Sequence, residues 1–400
     1  MRLIERTLYL DKLKRVRNTP DIKIITGIRR SGKSELMRAY LKYIKETEPQ
    51  TNVIEIDYGD LEYDNLKDYK NLYAYVEENY KPHVKNVLMI DEVQLCPQFE
   101  IAINSLHNSK KYNIYVTGSN AFLLSSDLST LFSGRFIEIP VFPFSFKEYT
   151  EYFDINDNFS YHLEDYLKVG GLAGSYLYEN KEDASQYIKD VYTSLIKRDL
   201  VDRYNIGDVA LLDNLTEFLI DNIANLATVN NISNALNNAK LKTNHVTVGN
   251  YIKYLCSAFM FYKVKRYDIR GKKYLEINDK YYLSDLSFRY SLLGVRNMDY
   301  GRAYENIVAL ELLRRGYDIY VGKLYTKEVD FIALKGSEKV YIQVADNINK
   351  DETLNREIEP LLAVKDAYPK IILANTGHPL FIKEGVKIYD LARWLMGEEN

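Results

Sequence analysis

The sequence predicts an α/β chain that opens on a parallel sheet, and three observations carry that prediction. Residues 22–26 (IKIIT), 87–90 (VLMI) and 112–116 (YNIYV) are largely apolar runs of four or five residues. Such runs are too short for buried helices and suit strands covered on both faces. Between the first two lies ELMRAYLKYIKE, whose apolar residues recur at helical spacing, so strand and helix alternate as a parallel sheet requires. Each apolar run also ends in small or polar residues, where the chain must leave the sheet.

At 400 residues the chain exceeds what one hydrophobic core usually supports, so two or three domains are expected. Apolar residues at 46% and charged residues at 27% are globular values and argue against long disorder. A net charge of -3 gives no overall basic coat for nucleic acid, so any basic surface must be local. The N-terminus MRLIERTLYLDKLKRVR is charged throughout, and no run of apolar residues is long enough to span a bilayer. These features, with two distant cysteines (Cys96, Cys256) and five scattered histidines, predict a cytoplasmic protein without membrane contact, disulfide framework or structural zinc. The 36 tyrosines sit in amphipathic segments and read as packing residues with the hydroxyl near the surface.

Directly after the first strand comes Gly27-Ile28-Arg29-Arg30-Ser31-Gly32-Lys33-Ser34, and a helical pattern follows. Strand, GxxxxGKS, helix is the P-loop arrangement. Its glycines adopt backbone angles closed to other residues, so that successive N–H groups converge on phosphates at the positive end of a helix. Lys33 is expected to reach the β- and γ-phosphates of ATP, and the Ser34 hydroxyl to ligate Mg2+. The second strand ends in Asp91-Glu92, the form of a Walker B strand. Asp91 would hold the magnesium shell and Glu92 would polarise the attacking water. The third strand ends in Thr117-Gly118-Ser119-Asn120; Thr117 or Ser119 could touch the γ-phosphate or the water, or the stretch is a plain turn.

Arg135 precedes a further strand, FIEIPV. It could project into a neighbouring copy as an arginine finger, which would require an oligomer, or it could be an ordinary surface arginine. GIRRSGKS, VLMIDEVQ, VTGSN and SGRFIEIPVFPFSFKEY, in that order, resemble the AAA+-type ATPases of bacteria and archaea that carry a C-terminal domain of unknown function. The likeness continues through KVGGLAGSY, IKRDLVDRY, TVGNYIKYL, KYYLSDLSFR, YENIVALELLRRGYDIYVG, EVDFIA and YIQVADN, covering nearly the whole chain. It implies ATP binding and names no substrate.

On this reading residues 1–205 form the ATPase domain, with a core at 1–150 and a helical lid at 151–205 broken at Gly170-Gly171. Residues 206–295 read as three helices and a hairpin, the order of a winged helix. Between residues 240 and 275 nine basic residues face a single acid, Asp268, a local charge suited either to a DNA backbone or to a partner protein. Residues 296–400 alternate helices and strands. A helical Glu305, then Asp330, then a strand carrying Gln343-Val344-Ala345 resembles a PD-(D/E)xK nuclease in which Glu-x-Lys has been lost, so this domain is expected to be catalytically inactive.

The fold class expected is therefore α/β: a P-loop parallel sheet with helical lid, a winged helix, and a small α/β nuclease-like domain. The expected function is magnesium-dependent ATP hydrolysis that switches or moves domains acting on DNA or a partner protein. A slow-turnover, nucleotide-gated binding module and an ATP-dependent nuclease are the alternatives.

Overall fold

The computed structural model describes residues 4–119, 132, 134–294 and 299–398, with residues 274–277 described by backbone alone. The chain divides into two compact units, one comprising residues 3–141 with 257–259, the other residues 142–256 and 260–400.

The N-terminal unit runs α1 (Thr7–Val16), β1 (Ile22–Thr26), α2 (Lys33–Thr47), β2 (Asn52–Asp57), α3 (Tyr69–Glu78), β3 (Asn86–Asp91), α4 (Phe99–Asn108), β4 (Tyr112–Gly118) and β5 (Phe136–Pro140). Its five strands lie in the order β2-β3-β4-β1-β5, all parallel. Alternation along β1 explains the layers. Ile22 and Ile24 face a cluster with Leu72 and Val76 of α3 and Phe99, Ile103 and Leu106 of α4. Ile25 faces the opposite cluster, with Leu10 and Leu13 of α1 and Leu36, Tyr40 and Ile44 of α2. A strand buried on both sides is mostly apolar, which is why β1 and β3 read as largely apolar runs, with the buried Lys23 of β1 as an exception. Because β1, β4 and β3 are neighbours and parallel, their C-terminal ends open at one edge of the sheet.

The second unit begins with α5 (Phe146–Tyr152), α6 (Phe159–Val169) and α7 (Lys181–Ser194), the last continuing into a π-helical stretch, Leu195–Val201. Then come α8 (Val209–Asp221), β6 (Leu226–Ala227), α9 (Val229–Asn238), α10 (His245–Ser257), β7 (Phe261–Asp268), β8 (Lys273–Leu283), α11 (Leu286–Leu293) and α12 (Tyr300–Arg314). The chain ends with β9 (Asp318–Leu324), β10 (Lys327–Lys335), β11 (Glu338–Ala345), α13 (Asp351–Ala363), β12 (Lys370–Ala374), β13 (Phe381–Lys383), β14 (Val386–Asp390) and α14 (Leu391–Met396).

Residues 151–205, expected alongside the parallel sheet, group by contacts with this second unit. The Gly170-Gly171 break shows why that segment is tied there. Gly171 donates its N–H to the buried carboxylate of Asp285 at 2.6 Å, and a Cβ at Gly170 would stand 1.9 Å from the same carboxylate. The hairpin β7–β8, expected as a free wing, also differs. Arg266, Tyr267 and Asp268 pair in parallel with Val321, Gly322 and Lys323 of β9. One nine-stranded sheet, β13-β14-β12-β11-β10-β9-β7-β8-β6, therefore runs across the boundary expected near residue 295. Among the described residues no helix is long and apolar enough to cross a membrane.

Candidate functional site

The loop between β1 and α2 has the backbone that its glycines predict. Gly27 has φ +144° and Gly32, the residue before α2, has φ +91°. A Cβ on Gly27 would lie 2.1 Å from the carbonyl oxygen of Val141, so only glycine fits. Arg30, at φ +66°, is a non-glycine residue held in the left-handed region inside the loop. The first N–H groups of α2 have no partner within the helix and point out of its N-terminus, where an anion is favoured.

Lys33 is buried, and its Nζ donates to the carbonyls of Gly27 and Ile28, each at 3.0 Å. The ammonium is thus folded back across its own loop. The buried Ser31 hydroxyl has no hydrogen-bond partner among the described residues. An orphaned hydroxyl, a glycine cradle and a lysine in one short loop fit a polyphosphate. Sequence reasoning missed a further support: Arg6 lies just ahead of α1, is buried, and its Nη1 donates to the Ser31 carbonyl at 2.7 Å.

Asp91 closes β3 opposite the loop, and its carboxylate hydrogen-bonds the Ser34 hydroxyl. Burial raises the Asp91 carboxyl above the ordinary carboxylate range; the bonds from Ser34 and Thr117 pull it back, while Glu92 and Asp57 push it further up. Such a carboxylate gains most from a nearby cation. Ser34 and Asp91 suit magnesium, which keeps much of its water shell and takes few protein oxygens. Magnesium bound there would supply charge neutralisation for the phosphates.

Thr117 and Ser119 are both buried. The Thr117 hydroxyl donates to Asp91 Oδ1 and accepts the Glu92 N–H at 2.9 Å. Both of its hydrogen-bonding roles are therefore used within the protein, and it positions the two acids. Glu92 has φ +52°, and its carboxylate accepts from Gln94 Nε2 and, at 3.3 Å, from Ser119 Oγ. Gln94 was not singled out in the sequence, although VLMIDEVQ contains it two residues beyond Glu92.

Residues 19–150 match the model of the AAA domain, and residues 160–299 match that of a domain of unknown function. An uncharacterized protein of Haemophilus influenzae is 34% identical over 399 residues, covering 98% of this chain and 99% of that protein. The chain belongs to the family of that protein. An uncharacterized protein of Methanocaldococcus jannaschii is 28% identical over 362 residues, 86% of this chain and 79% of its own length. Among solved structures, the Walker-type ATPase of Pyrococcus abyssi aligns over 73% of this chain and 96% of that chain, with TM-score 0.49 and 18% identity. The Aeropyrum pernix Orc1 protein, solved in complex with DNA, aligns over 73% and 92% with TM-score 0.33 and 13% identity. At these scores neither likeness bears on the chemistry of this family member.

The N-terminal unit, whose residues 19–150 match the AAA domain, thus brings together Gly27 to Ser34, Asp91, Glu92, Thr117 and Ser119, and leaves Arg135 out. Arg135 precedes β5, beside the N-terminal end of β1, where its carbonyl accepts the Ile22 N–H at 3.0 Å. Its Nη1 donates to Asn108 at the end of α4, at 2.8 Å. The loop 27–34 opens at the other end of β1, roughly 15 Å away along a five-residue strand. Arg135 therefore cannot serve its own chain's site. Asn120 lies outside the described residues.

Proposed function

We propose that this protein binds ATP with magnesium through residues 27–34 and hydrolyses it, as a switch or motor whose second unit engages DNA or a partner protein in the cytoplasm. One observation carries the reading. Thr117 ties Asp91 and Glu92 into a single network, and Asp91 in turn bonds Ser34 of the phosphate loop. Metal-side and water-side carboxylates are thereby held in fixed relation to one loop, the arrangement that in-line phosphoryl transfer to water needs. Lys33 would leave the Gly27 and Ile28 carbonyls for the β- and γ-phosphates, and Glu92 would polarise the water.

The hold of Gln94 and Ser119 on Glu92 favours a second reading, a nucleotide-gated module with slow turnover. A carboxylate engaged by two donors polarises water poorly until they release it.

For the second unit we propose a winged-helix module spanning α8 to β8. Lys265, Arg270, Lys272 and Lys273 are exposed on the β7–β8 hairpin and suit a phosphate backbone. Arg266 does not belong to that patch, because it is mostly buried and pairs with Glu328 at 3.4 Å. Steady-state phosphate release with and without duplex or single-stranded DNA, across salt, tests the whole reading. Stimulation that falls with salt supports a DNA-coupled ATPase. A rate unchanged by DNA leaves a protein partner as the load, and no release at all leaves the slow module.

A further inference from the structure

Lys280 lies near the end of β8 and is almost wholly buried, with 4% of its surface exposed. Its Nζ is 2.8 Å from Glu305 Oε1 on α12, 2.8 Å from Glu328 Oε1 on β10, and 3.9 Å from Asp330 Oδ1 on the same strand. Three carboxylates from two elements thus converge on one ammonium. Each is also tied elsewhere. Glu305 Oε1 accepts the Tyr282 hydroxyl at 2.6 Å, Glu328 accepts from Arg266, and Asp330 Oδ2 accepts the Val344 N–H at 2.8 Å.

Gln343 is committed too. Its carbonyl oxygen faces the Asp330 N–H at 3.4 Å, and its amide donates to Glu357 at 3.1 Å. Among the described residues no group of three or more His, Cys, Asp or Glu is arranged to hold a metal ion.

We propose that Lys280 is the resident cation of this carboxylate cluster: its ammonium takes the position that a divalent ion would otherwise hold, joins β8 to α12 and β10, and closes the cluster to metal-dependent phosphodiester chemistry. Charge arithmetic supports it. Among the described residues three acids meet two cations, Lys280 and Arg266, and burial together with repulsion from Glu305 pushes the Asp330 carboxyl well above the carboxylate range. Burial alone would lower the Lys280 pKa, but Glu305, Asp330 and Glu328 outweigh it and the net shift is upward, so the ammonium is held charged. Burying a carboxylate pair without a cation is strongly unfavourable, so the position demands one. A lysine acting as a catalytic group beside a metal ion would need open space at the acids for both the ion and the phosphodiester. Glu305 and Asp330 are each only 8% exposed.

The test uses the full chain, free of nucleotide, in an Asp91→Asn background that removes the phosphate-loop ion, with bound Mn2+ counted by electron paramagnetic resonance. The parent is expected to bind no Mn2+ at the cluster. Lys280→Met should bind one ion per chain and lose it on adding Asp330→Asn. Lys280→Gln, which can still donate to Glu305, is the second variant. If neither variant folds alone, refolding with Mn2+ should recover them. The proposal is overturned if the parent binds an ion that Asp330→Asn abolishes, if folded Lys280 variants gain none, or if Mn2+ fails to rescue unfolded ones. Metal-dependent DNA cleavage by the wild-type chain, lost on Asp330→Asn, would overturn it in favour of a catalytic lysine.

Discussion

Replacing Thr117 with valine keeps the shape of the side chain and removes the one oxygen that serves both Asp91 and Glu92. Two hydrogen bonds go: the donation to Asp91 Oδ1 and the acceptance of the Glu92 N–H. Asp91 keeps its bond to Ser34, but part of its buried carboxylate and a backbone N–H lose their partner. Leaving buried polar groups unpaired costs about 1–3 kcal/mol each, so losing two should destabilise the N-terminal unit by about 2–6 kcal/mol. For a unit of this size that lowers the thermal midpoint by roughly 6–18 °C. Turnover should fall by about 10²-fold, because misplacing a reacting group by an ångström has an effect of that order. Thr117→Ser keeps the oxygen and should stay near wild type in turnover. Calorimetry and phosphate release on the three proteins give the answer. A valine variant that melts and turns over like wild type would refute the role given to Thr117.

If Arg135 works on a neighbour, mixing inactive Arg135→Ala and Lys33→Ala proteins should restore part of the activity, since a hybrid interface regains one whole site; an active, strictly monomeric enzyme would exclude it. Changing Lys265, Lys272 and Lys273 to Glu should weaken duplex binding and flatten its salt dependence by about one counterion per lost contact, as read by fluorescence titration; absence of duplex binding by the wild type at low salt removes the DNA interface. The raised pKa of Asp91 also has a sign. The folded state holds that proton more tightly than the unfolded chain, so its contribution to stability is full at low pH and is lost as pH rises through the folded value. Magnesium competes with the same proton. The magnesium concentration for half-maximal ATP turnover should therefore climb as pH falls through a range above the ordinary carboxylate value, and Asp91→Asn should abolish that dependence.

The N-terminal site was legible because its chemistry is local. Residues 27–34 are contiguous, and Asp91 and Thr117 each follow a largely apolar run, so naming the strands named the edge where they meet. The strand order that puts β4 between β1 and β3 was not legible, since each run would be equally apolar at any interior position. Arg6 was hidden because its contact, the Ser31 carbonyl, is 25 residues away and leaves no pattern. The hairpin β7–β8 was read as a wing from its place after three helices, and that order does not show that its edge pairs with β9. Lys280 was counted with no site at all. It is followed by the buried Tyr281-Tyr282-Leu283 at the end of β8, and a lysine inside a buried stretch of strand is a signal that an acid waits beside it.

The central claim, that the phosphate loop and the two Walker B acids form a hydrolytic site, is tested most directly by comparing Glu92→Gln with Lys33→Ala in ATP binding and single-turnover hydrolysis. Glu92→Gln should bind ATP as the wild type does and hydrolyse it at least about 10²-fold more slowly, having lost only the group that polarises water. Lys33→Ala should lose tight binding itself, having lost the ammonium expected at the β- and γ-phosphates. Hydrolysis by Glu92→Gln at the wild-type rate would contradict the account.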